Sequence, residues 1–196
     1  MLGGTMESFE REIKEYLKKK TISFEDNTGS HDTLDFTLSV YDVHFDAKEK
    51  KQHFNVSNWQ GASIPEEYFF ILDDLAARKI LLKSPRSFLV IRDNMTGPAY
   101  YVFSIIDLLC LPKHRVKRRL EKSVVAFKGK WYIDLRHAAS FATLESVIEY
   151  MIEYPTHFKQ IFNEHIDCWG EYAGEDIQIA GTVRRSHHWK KDLSEK

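Results

Sequence analysis

The sequence contains only two cysteines, Cys110 and Cys168, and no apolar stretch long enough to cross a membrane. Two cysteines make no disulfide framework, which favours a reducing compartment, so we expect a cytoplasmic protein. A membrane span needs roughly 20 apolar residues. The first residues also lack the basic and apolar segments of a secretory signal. We therefore expect neither a membrane partner nor a leader.

Two common enzyme signatures are missing as well. The sequence has no Gly-x-Ser-x-Gly segment, which carries the nucleophile in many hydrolases, and no glycine-rich phosphate loop. An excess of basic residues is also absent, because 28 Lys and Arg stand against 29 Asp and Glu, a net charge of −1. This balance argues mildly against a nucleic-acid partner, since phosphate binding depends on basic surface. The distribution of charge is therefore more informative than its sum.

Positive charge is concentrated in two segments, residues 113–122 and residues 184–191. Clustered Lys and Arg side chains can neutralise DNA phosphates. A solvated face for the first segment and a frayed tail for the second are the alternatives. The candidate contacts to the DNA backbone are Lys113, Arg115, Lys117, Arg118 and Arg119.

Length and periodicity predict one mixed domain with an addition at its C-terminal end. With 196 residues, 43% of them hydrophobic, the chain can build one well-packed core. We expect an α/β core over residues 1–154, in the sense of an α+β fold with a mixed sheet. Residues 155–196 are expected to add a helical segment and a basic tail.

The individual elements follow from apolar periodicity and turn signals. Phe9, Ile13 and Leu17 form one helical stripe, and Ser63 and Glu66 have the spacing of a capping box. The predicted elements are a helix over 6–20, a strand over 22–24, a hairpin of strands 34–40 and 43–48, a helix beginning near 63–66, strands over 87–92 and 99–103, a helix starting within 105–109, a hairpin of 124–127 and 131–135 around a turn at 128–130, and a helix over 143–153.

The first hairpin has one apolar face and one face that carries ionisable groups. Because strand side chains alternate, Asp46 and Lys48 should point the same way, and Asp35 lies on the polar face of the partner strand. Two adjacent carboxylates repel each other, and Mg²⁺ would relieve the repulsion because it binds carboxylate, water and phosphate oxygens. Lys48 could then orient a water and stabilise phosphate charge. The alternative is a salt-bridge ladder on a solvated sheet face.

An acid-x-Lys tripeptide is weak evidence by itself, because it occurs three times, at 12–14, 46–48 and 49–51. Only Asp46-Ala47-Lys48 lies on an alternating strand that follows another strand with an acid on its polar face. That context selects the second copy as the candidate site.

Three motifs in the first fifty residues resemble the PD-(D/E)xK nuclease superfamily, and most closely the archaeal-type Holliday junction resolvases and their phage and bacterial relatives. Phe9-Glu10-Arg11-Glu12-Ile13 is similar to the family's first helix. Asn27-Thr28-Gly29-Ser30 and Leu34-Asp35-Phe36 resemble its small-residue loop and the strand with the first metal-binding aspartate. Phe45-Asp46-Ala47-Lys48 resembles the second strand.

The resemblance implies a restriction-endonuclease-like core with flanking helices and a Mg²⁺-dependent or Mn²⁺-dependent deoxyribonuclease that acts as a homodimer on duplex or branched DNA. It implies that Glu10, Asp35, Asp46 and the Ala47 carbonyl form the metal site and that Lys48 is the catalytic lysine. Two departures are Leu34 in place of the usual proline and Asp rather than Glu at position 46.

Several alternatives remain open at the level of sequence. Glu10 could be an exposed residue favoured by the helix dipole, and Trp59 could stack on a base or anchor a loop. The whole chain could be a catalytically silent DNA-binding or interaction module that keeps a nuclease-like fold. A restriction-type nuclease is a third interpretation.

Overall fold

A computed structural model of the chain describes residues 8–59, 61–83, 85–95, 99–110, 114–119 and 127–154. The chain divides into two units, Met1–Ile152 and Glu153–Lys196. The fold described below belongs to the first unit. The predicted helical addition and basic tail over 155–196 lie outside the described residues.

The first unit combines helices with two β-sheets. The described elements are α1 (Phe9–Lys19), β1 (Glu25–Asp26), β2 (Phe36–Leu38), β3 (Val43–Lys50), β4 (Phe69–Asp73), α2 (Asp74–Leu82), β5 (Ser87–Asp93), β6 (Ala99–Ser104), α3 (Ile105–Cys110), β7 (His114–Arg119), β8 (Phe127–Asp134), β9 (Ala139–Phe141) and α4, the helical segment 144–154, of which the first unit includes residues up to 152.

The larger sheet is mixed and the smaller one is antiparallel. Six strands follow the order β1-β2-β3-β5-β6-β9, in which β3 and β5 are parallel and the other neighbours are antiparallel. Three further strands follow the order β4-β8-β7. This arrangement confirms the predicted mixed α/β class. Within the described residues, no helix combines the length and apolar character that a membrane crossing requires.

Helix α1 forms where the apolar stripe predicts it. Ser8 is its N-cap and accepts a hydrogen bond from the backbone N–H of Arg11, and acidic residues occupy its first turn. Both features stabilise the positive end of a helix dipole. Phe9, Ile13 and Leu17 are buried, so the stripe is the face that packs on the sheet.

Strands β2 and β3 form the predicted hairpin with a longer turn than expected. Phe36 pairs with Phe45, and their rings stack with centroids 5.1 Å apart. The chain leaves the strand after Leu38, and Asp42 adopts a positive φ of 52° in the turn. Val40 is 75% exposed. The predicted strand over 34–40 therefore extends too far, because Val40 belongs to the turn and not to the strand.

The strand predicted over 22–24 lies instead at Glu25–Asp26. Two further predicted elements are wrong because long-range pairing overrides the local pattern. The helix expected from the capping box at 63–66 is instead β4, which pairs with β8 over five residue positions, and α2 begins only at Asp74. The turn expected at 128–130 lies within β8. There Gly129 pairs with Lys117, and a Cβ at position 129 would come within 2.7 Å of the Asp74 side chain. Glycine therefore permits the close approach of α2 to β8.

The register between β3 and β5 shows what covers the face of β3 that carries Asp46 and Lys48. Asp46 and Lys48 are in register with Leu89 and Ile91 of β5. Those two β5 residues belong to a buried apolar cluster that includes Ala76, Ala77 and Ile80 from α2 and residues of β4 and β8. Asp46 and Lys48 consequently lie on the face that α2 and the smaller sheet cover.

Candidate functional site

Asp35 and Asp46 lie opposite each other where β2 begins. The pairing of Phe36 with Phe45 places Asp35, one residue earlier, across from Asp46. Asp35 is 7% exposed and Asp46 is fully buried. The hairpin thus brings two carboxylates to one face of the sheet, and their burial is incompatible with the solvated salt-bridge ladder considered above.

Lys48 joins the two acids. Its Nζ atom lies 2.7 Å from Oδ2 of Asp46 and 3.2 Å from Oδ2 of Asp35. It also donates a hydrogen bond to the Ala47 carbonyl at 3.1 Å. About a third of the Lys48 side chain remains exposed. The lysine is therefore held by buried partners while part of its side chain still reaches solvent.

The backbone of β3 fixes the first aspartate. The ladder between β2 and β3 ends at the pair Phe36–Phe45, so the next N–H groups along β3 have no strand partner on that side. The N–H of Ala47 donates instead to Oδ2 of Asp35 at 2.9 Å. Buried N–H groups require an acceptor, and Asp35 satisfies this one while its carboxylate is held toward Lys48.

Asp46 is in an unfavourable environment for a charge. Neither of its carboxylate oxygens accepts a hydrogen bond of favourable geometry from the described residues, although Oδ2 forms an ion pair with Lys48. Burial raises the pKa of Asp46 to about 6; the Lys48 ammonium opposes this rise, and the negative charge of Asp35 adds to it. Burial alone would lower the pKa of Lys48, but Asp46 and Asp35 together raise it above its usual value. The lysine is therefore cationic at neutral pH.

A second lysine, Lys79 of α2, approaches the same carboxylate. Its Nζ atom lies 3.8 Å from Oδ1 of Asp46 and donates to the carbonyl of Thr33 at 2.8 Å. The sequence prediction missed this residue because it placed the helix too early in the chain. Correct helix bounds would have been the signal, since Lys79 follows Ala76 by three positions and precedes Ile80 on the buried side of α2.

The acid–lysine site, which we define as Asp35, Asp46, Lys48 and Lys79, opens onto a cavity. The cavity has a volume of about 440 Å³. Three members of the site line it, Asp46, Lys48 and Lys79, and apolar side chains that include Phe54, Phe70 and Leu75 form other parts of its wall. Charged groups and an apolar surface therefore meet in one concave space.

The described residues contain no group of three or more His, Cys, Asp or Glu side chains that could hold a metal ion. Two carboxylates and one carbonyl are nevertheless available, from Asp35, Asp46 and Ala47. Mg²⁺ commonly takes one or two carboxylates and completes its shell with waters and substrate phosphate. The buried carboxylate oxygens of Asp46, which form ion pairs with Lys48 and Lys79 but no well-aligned hydrogen bond to the described residues, suit this hard cation, so the donor set fits Mg²⁺ or Mn²⁺.

The place of Glu10 in the metal site stays a prediction. Glu10 is exposed on α1, and among the described residues no hydrogen bond or ion pair connects it with the acid–lysine site. Glu12 is the acidic residue of α1 that is engaged, because it bonds to the Arg92 guanidinium and the Tyr100 hydroxyl. Trp59 makes edge contacts with the rings of Phe69 and Tyr132, as the loop-anchoring interpretation requires.

The basic candidates fall on an edge strand. Arg115, Lys117, Arg118 and Arg119 belong to β7, which pairs only with β8 among the described strands. Lys113 lies outside the described residues. Arg115, Lys117 and Arg119 occupy alternate positions along the strand.

Comparison of the chain with protein-family models, with curated proteins and with solved structures found no match.

Proposed function

We propose that this protein is a metal-dependent DNA endonuclease that hydrolyses phosphodiester bonds, with Asp35, Asp46 and Lys48 at its centre. The observation that carries the proposal is the convergence of two buried carboxylates and one lysine beside an open cavity. Ionisable groups buried together in a cleft are typical of functional sites, where their chemistry compensates for their cost in stability.

The residues of the site have separable roles in this proposal. Asp35, Asp46 and the Ala47 carbonyl would hold Mg²⁺ or Mn²⁺. The bound ion would supply a Lewis acid and lower the pKa of a coordinated water. Lys48, kept cationic by both acids, would bind the phosphate group and stabilise the negative charge that develops on it.

The order of elements supports the same proposal. The resemblance calls for a helix, a strand with the first aspartate, a strand with the acid-x-lysine motif, and then a helix and further strands. Elements α1, β2, β3, α2 and β5 occur in this order, and β3 and β5 are adjacent and parallel. We propose on this basis a restriction-endonuclease-like core. The homodimer, the preference for branched DNA and the role of Glu10 in the metal site stay predictions.

One observation favours the second candidate, a DNA-binding module that has lost activity. The described residues place only two acidic side chains at the site, and Lys48 is paired with both. A silent module would bind DNA without cutting it. In an active enzyme Lys48 would have to contact the phosphate, and the two acids would have to contact the metal ion. Contacts between the lysine and the acids would not be sufficient.

A direct assay separates the two candidates. Purified protein is incubated with supercoiled plasmid, single-stranded DNA and a four-way junction, in Mg²⁺, in Mn²⁺ and in EDTA. Cleavage that requires the divalent ion supports the nuclease proposal. Cleavage that continues in EDTA contradicts the mechanism, and DNA binding without cleavage of any substrate favours the silent module.

A further inference from the structure

The cavity beside the acid–lysine site has two chemically different parts. One part carries the ammonium groups of Lys48 and Lys79 on either side of Asp46. The carboxylates of Glu49 and Asp73 also line the cavity, but they form ion pairs with Arg92 and Lys130. The other part is apolar and includes Phe54, Phe70, Leu72, Leu75 and Ala76. A ligand with an anionic group at one end and a flat or apolar body at the other would use both the lysines and the apolar wall.

The cationic part suits a phosphate. Lys79 is held in place by its hydrogen bond to the Thr33 carbonyl at 2.8 Å, and its side chain is 14% exposed. Its Nζ atom is still 3.8 Å from Asp46, which leaves its other hydrogen-bonding positions available to a ligand, since an ammonium has three donors. Lys48 contacts the other oxygen, Oδ2, of the same Asp46 carboxylate.

The apolar part suits a nucleobase. Phe54 is half-buried and packs edge-on against Phe70, with ring centroids 6.1 Å apart. Leu75 is 57% exposed at the cavity wall. Aromatic and apolar walls bind bases of any sequence because every base has an apolar face. The volume of about 440 Å³ lies within the range of pockets for single small ligands, so it is too small for a base pair with its stacked neighbours.

The smaller sheet connects this cavity with the basic strand. Leu72 of β4, at the cavity, is in register with Trp131 of β8, and Trp131 is in register with Arg115 of β7. Adjacent strands are about 4.8 Å apart, so β7 runs about 10 Å from β4. The cavity and the basic strand therefore lie two strands apart on the same small sheet.

We propose that the cavity binds one unpaired nucleotide of the DNA substrate, with its phosphate at Lys48 and Lys79 and its base against the apolar wall. This inference rests on the proposed function and adds a substrate class: strands with an unpaired nucleotide bind in preference to a continuous duplex. A base in a duplex must leave its stack to enter such a pocket, which costs free energy that an unpaired base does not require.

Binding is measured in EDTA, so that no cleavage occurs. The probes are a single-stranded oligonucleotide of about ten nucleotides with a fluorescent 2-aminopurine base, and the same strand in a blunt duplex. We expect the single strand to bind at least about tenfold more tightly than the duplex. Equal affinity for the two probes would overturn the proposal.

Two matched pairs of variants on α2 locate the binding site. Leu75→Glu places a negative charge at the cavity wall, whereas Leu82→Glu makes the same change at a position that is 84% exposed and outside the cavity. We expect about a tenfold loss of single-strand affinity for the first and less than about twofold for the second. Lys79→Gln should weaken binding by about fivefold, and Lys83→Gln at the exposed end of the same helix should not.

The outcomes distinguish this inference from the proposed function. If the wild type cleaves DNA with Mg²⁺ while Leu75→Glu and Leu82→Glu bind the single strand equally, the cavity inference is wrong and the nuclease proposal stands. If no substrate is cleaved but the Leu75 and Lys79 variants lose single-strand affinity, the nucleotide site stands and the nuclease proposal fails.

Discussion

The Nζ atom of Lys48 lies 2.7 Å from Oδ2 of Asp46, whose side chain has no exposed surface. Burying an ion pair costs solvation that the attraction between the charges often fails to return. The raised pKa of Asp46 indicates such a deficit, because burial destabilises the charged form by more than the adjacent lysine stabilises it. The free energy of unfolding should therefore depend measurably on whether Asp46 is ionised.

The first prediction concerns the pH dependence of stability of the metal-free protein. The pKa of Asp46 is about 6 in the folded state against an ordinary value of 3.8. Between these values the folded state binds more protons than the unfolded state, so stability falls as pH rises through this interval. The contribution is present below about pH 4 and is lost above about pH 6, and it amounts to about 3 kcal/mol at most.

The comparison variant is Asp46→Asn, which cannot titrate. Urea denaturation in EDTA at several pH values should show the wild type losing stability relative to Asp46→Asn as the pH rises from 4 to 7. Parallel curves for the two proteins across this range would show that Asp46 is not held in a costly charged state.

A second prediction concerns the buried pair Lys50 and Asp93. Both side chains are fully buried, with Nζ 3.6 Å from Oδ2, and Lys50 also donates to the carbonyls of Glu66 and Glu67. Burial lowers the pKa of Lys50, and Asp93 opposes that effect. Lys50→Met would leave the Asp93 charge buried without its cation, which should cost about 3–5 kcal/mol.

A double-mutant cycle measures this coupling. Lys50→Met combined with Asp93→Asn should cost less than the sum of the two single changes, because the second change removes the uncompensated charge. Chemical denaturation of the four proteins gives the coupling energy. Strictly additive effects would mean that the two groups do not depend on each other.

A third prediction separates the two glutamates of α1. Glu12 bonds to Arg92, which is buried, also bonds to Glu49 and lies over the Phe9 ring. Glu12→Gln should lower stability by about 1–3 kcal/mol because it weakens a charged hydrogen bond to a buried guanidinium. Glu10 is exposed, so Glu10→Gln should change stability by less than about 0.5 kcal/mol.

Activity gives the complementary result for Glu10. The resemblance to the resolvases predicts that Glu10→Gln loses cleavage while it keeps its stability. Wild-type cleavage by this variant would remove Glu10 from the metal site and leave Asp35 and Asp46 as the acidic residues there.

A fourth prediction concerns the basic edge strand. If Lys117 and Arg119 contact phosphates, the variant with both changed to Ser should bind DNA more weakly, and the slope of log affinity against log salt should become shallower by about two. The control changes Lys18 and Lys19 to Ser in the last turn of α1, where both are exposed. Equal slopes for the two double variants would show that β7 makes no phosphate contacts.

The local pattern of apolar and polar residues was sufficient to predict helix α1 and the strand that carries Asp46 and Lys48. The stripe of Phe9, Ile13 and Leu17 predicted α1, and strand alternation placed Asp46 and Lys48 on one face of β3. Both patterns arise within a few residues, where backbone periodicity decides which side chains share a face. The mixed α/β class could be predicted for the same reason.

The sequence pattern gave the wrong prediction where pairing with a strand far along the chain determines the secondary structure. Residues 69–73 have apolar positions that fit a helix or a strand equally well, and their pairing with β8, about sixty positions later, makes them a strand. The same pairing removes the turn expected at 128–130. Lys79 was missed as a consequence, because its approach to Asp46 depends on where α2 begins after β4.

The most direct test of the central claim is the initial rate of DNA cleavage in Mg²⁺ by four proteins. These are the wild type, Asp46→Ala, Lys48→Ala and the control Lys51→Ala, whose side chain is 68% exposed just beyond β3. We predict that Asp46→Ala and Lys48→Ala each lose at least about a hundredfold in rate, while they remain folded and Lys51→Ala cleaves like the wild type. Cleavage at the wild-type rate by both site variants would contradict the account.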